Sequence, residues 1–325
     1  MAETTLSPAI AQPEKGRAPL RLAAVLVGIA ALVVAPMFFY PVFIMKVLCF
    51  ALFASAFNLL LGYTGLLSFG HAAFFGGAAY VAAHATKVWG LSPELSILAG
   101  VAVAIVIGAV MGFIAIRRQG IYFAMITLAL SQMFYFFCLQ APFTGGEDGI
   151  QGVQRGRLFG VIDLAQPMNM YYAVLAIFLI GVFCVWRIVN SPFGAILKSI
   201  RENETRAISL GLSVSYYKLA AFVMSAAITG LAGATKALVF QFATLTDVTW
   251  QMSGEVILMT LMGGIGTLIG PIVGAGLVVT LQNVLATSDF PVTVITGATF
   301  MLCVLTFRRG IVGEIEALLG RRNGK

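Results

Sequence analysis

Few side chains of this sequence could do chemistry inside the long apolar stretches that make up most of it. His71 lies in the run SFGHAAFFGG, and Glu255 lies in the run SGEVILM. Ionisable groups in such surroundings are functional candidates by default. We consider two roles for His71: a neutral imidazole that hydrogen-bonds a neighbouring helix, or a group that lines a translocation path. Glu255 either caps its own helix near Ser253, where a carboxylate is favourable, or lines the same path.

Other polar and glycine residues accompany these two candidates. Broken helices expose backbone N–H groups that can meet an anionic group of a substrate, and glycines mark such breaks. Asn58 is either glue between helices or a path residue. Lys46 and Lys236 are expected to extend toward the headgroups, and Asp247 to lie in an outer loop. The candidate path residues are Asn58, Gly65, Gly70, His71, Glu255, Gly263 and Gly264.

The sequence offers little support for an enzyme active site. It holds two histidines and 13 acidic residues, and no spacing pairs a nucleophile with a base. The four cysteines lie far apart in apolar runs without metal-ligand spacing, so we interpret them as small hydrophobic residues. We therefore expect no catalytic residue, no metal site and no cofactor in this chain.

The elements that position these residues are expected to be membrane helices. Hydrophobic residues make up 60% of the chain, charged residues make up 10%, and the mean hydropathy is +0.97. A soluble protein of this length could not bury so much apolar surface in one core, whereas a bilayer accommodates it. The composition predicts an all-α polytopic membrane protein. The net charge of +7 is attributed to loops that orient the chain, and not to nucleic-acid binding.

Apolar stretches long enough to cross a bilayer recur along the chain. The stretch 254–288 contains MGGIGTLIGPIVGAG, which predicts either two short passes or a re-entrant turn. Counting this stretch as two passes predicts about ten membrane segments. The candidates are residues 22–40, 42–61, 66–86, 95–116, 120–140, 170–189, 217–239, 254–288 and 291–307.

The basic residues predict the orientation of these segments. Most of the 20 Lys and Arg residues lie near the two termini, at 117–118, or around 187–218. The positive-inside rule places these regions and both termini in the cytoplasm. We expect a disordered tail at 1–20, a transmembrane domain at 21–308 and a second tail at 309–325. The loop 141–169 is then extracytoplasmic, either as a solvated connector or as a docking surface for a partner.

One polar run, SPFGAILKSIRENETRAISLGL at 191–212, interrupts the apolar pattern. A charged residue at the centre of a membrane helix costs about 2.5–3.5 kcal/mol, so this run must face water. Ser191 as N-cap, Pro192 in the first position and Gly211 as C-terminal cap predict a single amphipathic helix. Glu202 and Arg206 would form an i,i+4 pair on it. Such a helix lies on lipid headgroups or fits a groove on a soluble partner.

This polar run and the span after it resemble the ATPase-coupling loop and following span of permeases in the branched-chain amino-acid family of ABC importers. Further blocks are similar in the same order, and the resemblance extends from about residue 45 to 310. Within this family, the sequence more closely resembles the permease subunit that is usually paired with a second, distinct permease. The further blocks are LGYTGLLSFGHAAFFGGAAY at 61–80, FAMITLALSQ at 123–132, TGGEDGI at 144–150 and SGEVILMTLMGGIGTLIGPIVGA at 253–275.

The resemblance implies an ABC importer permease-like bundle in a bacterial inner membrane, importing branched-chain or related aliphatic amino acids. Implied partners are a second permease subunit, two ATP-binding subunits and an extracytoplasmic solute-binding protein. The sequence has no GxxxxGK[ST] phosphate loop, so ATP and Mg would be bound by the partner ATPase subunits. The coupling loop would span 191–216. Its implied ATPase-coupling residues are Ser191, Pro192, Phe193, Gly194, Leu197, Ile200, Arg201, Glu202, Asn203, Glu204, Arg206 and Gly211.

Three alternatives remain open at this point. The same machinery could import urea or short amides, because related permeases serve such cargo. An ion-coupled secondary transporter is disfavoured, since that class often places carboxylates at mid-membrane and the predicted spans hold few. A non-transporting membrane scaffold is the third. The identity of the cargo is expected to depend on a partner and not on this chain.

Overall fold

The computed structural model describes residues 27–158, 160, 162–286, 292–306 and 310–314. The chain divides into two compact units, Met1–Tyr40 and Pro41–Lys325. The predicted tails at 1–20 and 309–325 lie outside the described residues, except for one helical turn at 310–314. The helices in the described residues are α1 (Val27–Met37), α2 (Pro41–Thr64), α3 (His71–Lys87), α4 (Pro93–Ala115), α5 (Ile121–Gln140), α6 (Pro167–Val189), α7 (Pro192–Glu202), α8 (Glu204–Ser209), α9 (Val214–Phe240), α10 (Trp250–Gly263), α11 (Gly270–Leu285) and α12 (Val292–Thr306).

The predicted all-α membrane class is confirmed. Five helices, α2, α4, α5, α6 and α9, are long and apolar enough to cross a bilayer, with mean hydropathies from 1.5 to 2.7. In a bilayer every backbone N–H and C=O must be paired within the protein, and helices achieve this along their own length. The shorter helices α3, α10, α11 and α12 have 17, 14, 16 and 15 residues. The total of ten membrane segments stays a prediction.

The centre of the second unit is formed by α2 and α9. Their most apolar windows are 83% and 78% buried, against 28–33% for α4, α5 and α6. The peripheral helices instead expose large apolar side chains such as Phe113, Phe136 and Ile180. That distribution suits helices whose outer faces meet lipid. Around the centre, α3 packs against both α4 and α9.

Glycines allow α3, α4 and α9 to approach each other closely. A Cβ atom at Gly100 would lie 2.8 Å from the carbonyl oxygen of Ala78, and one at Gly108 would lie 2.5 Å from Cβ of Ala226. At Gly233 it would overlap the carbonyl oxygen of Phe75. Small residues at such crossings let helix backbones pack where larger side chains would separate them.

The stretch 254–288 is broken, as predicted, and forms two helices. At about 1.5 Å per residue, α10 and α11 are about 21 and 24 Å long, shorter than the roughly 30 Å hydrocarbon core. They pack closely as an antiparallel hairpin. A Cβ atom at Gly263 would overlap the carbonyl oxygen of Gly270, and a Cβ atom at Gly274 would overlap that of Met259. Residues 264–269 connect the helices, and we call them the hairpin tip.

Two ends of the second unit can be distinguished. The α7 end carries α7, α8 and the hairpin tip. The opposite end, which we call the loop end, carries two antiparallel ribbons of two strands each. β1 (Ile150–Gln151) pairs with β4 (Phe242–Ala243), and β2 (Arg157–Leu158) pairs with β3 (Ile162–Asp163). The β1–β4 pair joins the loop after α5 to the connection between α9 and α10.

Gly274→Ala is predicted to destabilise the hairpin, because its methyl group would overlap a backbone carbonyl that cannot move alone. Overpacking of this kind costs about 1–3 kcal/mol, which corresponds to a melting temperature lower by several degrees. Thermal unfolding of the detergent-solubilised protein measures it. Gly276→Ala is the matched control on the same helix, since its Cβ would find Val47 at 3.9 Å. Equal melting temperatures for the two variants would contradict the close packing.

Candidate functional site

The start of α7 follows the predicted capping pattern. The Ser191 Oγ accepts a hydrogen bond from the Gly194 backbone N–H at 3.4 Å, and Pro192 is the first helical residue. Gly194, Leu197 and Ile200 are buried and Lys198 and Ser199 are exposed, so α7 is amphipathic, as the polar run predicted. A Cβ at Gly194 would lie 2.6 Å from the carbonyl oxygen of Ile188. This close approach folds α7 tightly back against the end of α6.

The predicted single helix over the polar run is wrong, because the chain leaves the helical conformation at Asn203. Its φ of −157° ends α7, and its side-chain Oδ1 accepts from the Arg206 backbone N–H at 2.9 Å to cap α8. Asn side chains compete with the helix for backbone groups in this way. Glu202 and Arg206 therefore lie on different helices and form no i,i+4 pair.

The predicted cap at Gly211 is confirmed. Gly211 adopts a left-handed φ of 82°, and its N–H donates to the carbonyl of Ile208 at 2.9 Å. The N–H of Leu212 donates to the carbonyl of Ala207 at 3.1 Å. The two bonds form a Schellman motif, which pairs the last carbonyls of α8.

A small apolar core unites α7, α8 and the first turn of α9. Ile200, Ala207 and Val214 are buried together, one from each of these segments. Ile196 and Leu212 pack against their edge. Since the two short helices share one core, we treat them as a single body and call it the α7–α8 unit.

Glu204 forms its polar contacts within the chain, and its assignment to ATPase coupling stays a prediction. Its Oε2 lies 2.7 Å from Nζ of Lys218, whose side chain is 6% exposed, and its Oε1 accepts from the amide of Gln119 at 2.8 Å. Glu204 therefore fastens α8 to α9 and to the α4–α5 connection. Glu202 and Arg206 are exposed.

Arg201 connects the α7–α8 unit to the end of α2. Its guanidinium Nη1 donates to the carbonyl oxygen of Gly62 in the last turn of α2. The last carbonyls of a helix have no partner within it and carry partial negative charge, so a cation is favourable there. Cβ atoms at Gly65 and Gly266 would each find Arg201 atoms at 3.3 Å. Arg201 thus lies between the end of α2 and the hairpin tip.

Asn58 holds the hairpin tip to α2. Its Nδ2 donates to the carbonyl of Thr267 at 2.8 Å, and its Oδ1 accepts from the Gly266 N–H at 2.9 Å. The residue is 1% exposed. Gly264 and Gly266 have φ values of 124° and 76°, which favour glycine at both positions. These bonds support the alternative in which Asn58 hydrogen-bonds a neighbouring helical element. The assignment of Asn58, Gly263 and Gly264 to a translocation path stays a prediction.

His71 is fully buried where α2, α3 and α9 meet. Its Nε2 lies 2.9 Å from Oγ of Ser225, which itself donates to the carbonyl of Ala56 at 2.6 Å. Because Ser225 donates there, its oxygen accepts the Nε2–H of His71. The rings of Phe57 and Phe222 stand edge-on to the imidazole. These contacts match the neutral, helix-bridging role for His71.

The glycines beside His71 have local structural roles. Gly65 has a φ of 75° directly after α2, and Gly70 precedes α3. A Cβ at Gly70 would lie 2.8 Å from Cε of Met111. The assignment of Gly65, Gly70 and His71 to a translocation path stays a prediction.

The capping interpretation of Glu255 is wrong, because α10 begins at Trp250 and Glu255 is its sixth residue. The Oγ of Ser253 instead accepts from the Ala72 backbone N–H at 2.9 Å. Glu255 lies near the side chain of Gln282 on α11 and near the opposite charge of Lys46 on α2. It is half-buried, and its membership of the path stays a prediction.

Lys236 does not extend toward headgroups, since Asp247 folds back over it. Its Nζ lies 2.7 and 2.9 Å from the two carboxylate oxygens, and both residues are buried. The Nζ also lies 4.6 Å from the ring centroid of Phe242. The sequence interpretation missed this pair. Its one signal was a lysine within an apolar run, which requires a counter-charge.

Asn58→Ala is predicted to loosen the hairpin tip, because it leaves the part-buried N–H of Gly266 and C=O of Thr267 without their side-chain partner. Losing such partners costs about 1–3 kcal/mol each. We expect a lower melting temperature in detergent and faster proteolysis within 264–269. The exposed Asn283 on α11 supplies the control variant Asn283→Ala, which should change neither quantity. A tip as protease-resistant in Asn58→Ala as in the wild type would refute the role given to Asn58.

Comparison with known proteins identifies the bundle that carries these contacts. A family model described as "Branched-chain amino acid transport system / permease component" matches residues 40–305. The permease protein LivM of the high-affinity branched-chain amino acid transport system of Escherichia coli K12 is 25% identical over 291 residues, covering 82% of this chain and 68% of the relative. LivM of Salmonella typhimurium LT2 is 26% identical over 293 residues, with the same coverage. No solved structure matches this chain.

The match with the family model includes α2, the α7–α8 unit and the α10–α11 hairpin, so it covers every contact described above. Family membership and the apolar helices together identify a multi-pass inner-membrane protein that serves transport and not catalysis. The chain belongs to the family of branched-chain amino acid transport permeases.

Proposed function

We propose that this chain is the membrane-spanning permease subunit of an ATP-driven, binding-protein-dependent importer for branched-chain or related aliphatic amino acids. It forms the translocation path together with a second permease subunit. Two ATP-binding subunits dock on the α7–α8 unit, which faces the cytoplasm with both termini, and a solute-binding protein delivers substrate at the loop end. Family membership and the printed function of the two LivM relatives support this proposal.

The observation that carries the proposal is the contact between Arg201 and the Gly62 carbonyl beside the hairpin tip. The α7–α8 unit is a compact body with its own core, so a force on its outer surface moves it as a whole. Arg201 passes that movement to the end of α2, and Asn58 joins α2 to the tip. Uphill transport needs such a connection, because the sequence has no phosphate loop of its own.

The outer surface of the α7–α8 unit has the chemistry of a protein-docking surface. Ile208 is 57% exposed and Leu210 is 74% exposed, although both lie in the charged segment that must face water. Lys198, Glu202 and Arg206 are exposed charges of the same unit, and we call them its charged rim. An apolar pair with a charged rim is typical of protein interfaces, and the ATP-binding subunits are its proposed occupants.

Leu210→Asp is predicted to prevent docking of the ATP-binding subunits, because it places a charge where an apolar contact is needed. Loss of a central interface side chain costs about 2 kcal/mol or more, so co-purification of these subunits should fall at least about tenfold. Membrane insertion should be unchanged. Glu202→Lys tests the rim in the same assay, whereas Glu204 is unsuitable because it is paired inside the chain.

Glu147→Lys provides the control for Glu202→Lys, since it makes the same charge change at an exposed position of the loop end. It should leave the recovery of ATP-binding subunits normal. If Leu210→Asp and Glu202→Lys also recover them normally, docking on the α7–α8 unit is refuted.

Arg201→Ala separates docking from transmission. We expect the ATP-binding subunits to remain bound and to hydrolyse ATP, while uptake of leucine into proteoliposomes falls at least about tenfold because α2 is no longer linked to α7. Arg201→Lys keeps one donor and should retain part of the uptake. Wild-type uptake by Arg201→Ala would show that the Gly62 contact carries no coupling.

A further inference from the structure

Charged and amide side chains from four helices and one loop meet near the loop end. Lys46 and Glu255 are each the sixth residue of their helix, α2 and α10, which places both about 8 Å inside the helix start. Gln282 lies three residues before the end of α11, about 5 Å inside. Lys236 on α9 and Asp247 lie at the same end. These charges therefore share one level of the bundle.

Lys236 and Asp247 satisfy each other. Their atoms are 2.7 and 2.9 Å apart, and the residues are 6% and 2% exposed. The Asp247 carboxylate also accepts from the Thr244 N–H at 3.4 Å, which closes the turn before α10. This pair is complete and sealed from its surroundings, and we assign it a structural role.

Lys46 and Glu255 differ from that pair in two respects. Both are half-buried, so each keeps an accessible side at membrane depth. Their opposite charges attract each other, and Glu255 lies near the side chain of Gln282, but among the described residues no direct ion pair joins Lys46 to Glu255. One cation and one carboxylate thus remain incompletely matched.

Glu255, the sixth of the 14 residues of α10, cannot face lipid cheaply. A charge at the centre of a membrane helix costs about 2.5–3.5 kcal/mol on insertion scales, so such residues face a water-filled cavity or another protein, and they pair with an opposite charge such as that of Lys46. The same helices, α2, α10 and α11, also form the contact between Asn58 and the hairpin tip. The open charges therefore lie on the helices that Arg201 reaches.

We propose that Lys46, Glu255 and Gln282 form a polar station on the translocation path, which binds the two charged ends of a zwitterionic amino acid. This inference rests on the proposed function. The Lys46 ammonium meets the substrate carboxylate, the Glu255 carboxylate meets the substrate ammonium, and Gln282 orients Glu255. A station without net charge suits a neutral zwitterion, and the incomplete match between its own charges leaves them free to exchange partners during passage.

The connection to α2 gives the station a means of regulation. The hairpin tip is bound to α2 through Asn58, and Arg201 binds the end of α2. Movement of the α7–α8 unit then pivots α2 about its contact with the hairpin tip, which changes the separation of Lys46 from Glu255 at the other end of these helices. The station binds substrate in one arrangement and releases it in another.

The test uses the complete importer, with both permeases, the ATP-binding subunits and the solute-binding protein, reconstituted in proteoliposomes with L-leucine as probe. Lys46→Met and Glu255→Gln keep the side-chain size and remove one charge each. We expect normal recovery of the complex and ATP hydrolysis stimulated by the binding protein within about twofold of wild type, with leucine uptake reduced at least about tenfold. Gln251→Ala, an exposed polar residue one turn before Glu255, is the control and should transport normally.

Each other outcome overturns the station. Unchanged uptake would show that the charges do not meet substrate. Failure to recover the complex would make Lys46 and Glu255 an interface with the second permease subunit. Loss of stimulated ATP hydrolysis from an intact complex would make them part of coupling. Failure of the proposed function itself is distinguishable, because the wild-type complex would then not take up leucine with ATP.

Discussion

A backbone N–H or C=O that is shielded from water must find a partner within the protein, and this requirement governs the break between α10 and α11. The hairpin tip leaves the helical hydrogen-bond pattern beside the last turns of α2, so two of its backbone groups are paired from that helix. Asn58 supplies both a donor and an acceptor from α2, to Thr267 and Gly266. The break therefore cannot exist independently of α2. The same dependence brings the tip beside Gly62, whose carbonyl in turn is paired by Arg201.

These contacts connect the α7–α8 unit mechanically to the helices of the bundle. A polar loop tethered loosely to the bundle could bind a partner without affecting the helices. The α7–α8 unit is instead held by its own core, by Glu204 on Lys218 and by Arg201 on the end of α2. Its apolar residues Ile208 and Leu210 are exposed in the part of the chain that the structure describes. Rigidity toward the bundle and an open outer surface are the two properties that a coupling element needs.

Charge inside the bundle is arranged in two different ways. Lys236 and Asp247 are buried and directly paired, which fixes the turn before α10. Lys46 and Glu255 are half-buried and attract each other without being sealed. Two buried charges repay the cost of leaving water only when their geometry is excellent, as it is for Lys236 and Asp247. Lys46 and Glu255 have no such direct pair in the described residues, which is why we propose a ligand for them. Both pairs lie at the loop end of the bundle. We assign a structural role to Lys236 and Asp247, and the proposed substrate-binding role to Lys46 and Glu255.

The sequence by itself determined the features that depend on composition or on a few neighbouring residues. These include the membrane class, the break within 254–288, the N-cap at Ser191 and the cap at Gly211, together with a family resemblance that rests on ordered blocks. Tertiary structure decided the rest. The hydrogen-bond partners of Asn58 and Arg201 lie 209 and 139 residues away along the chain, and no local sequence pattern predicts a partner at that separation. Glu204 turns inward and Glu255 lies past the first turn of α10 for the same reason: packing between helices, and not local propensity, decides which face a side chain presents.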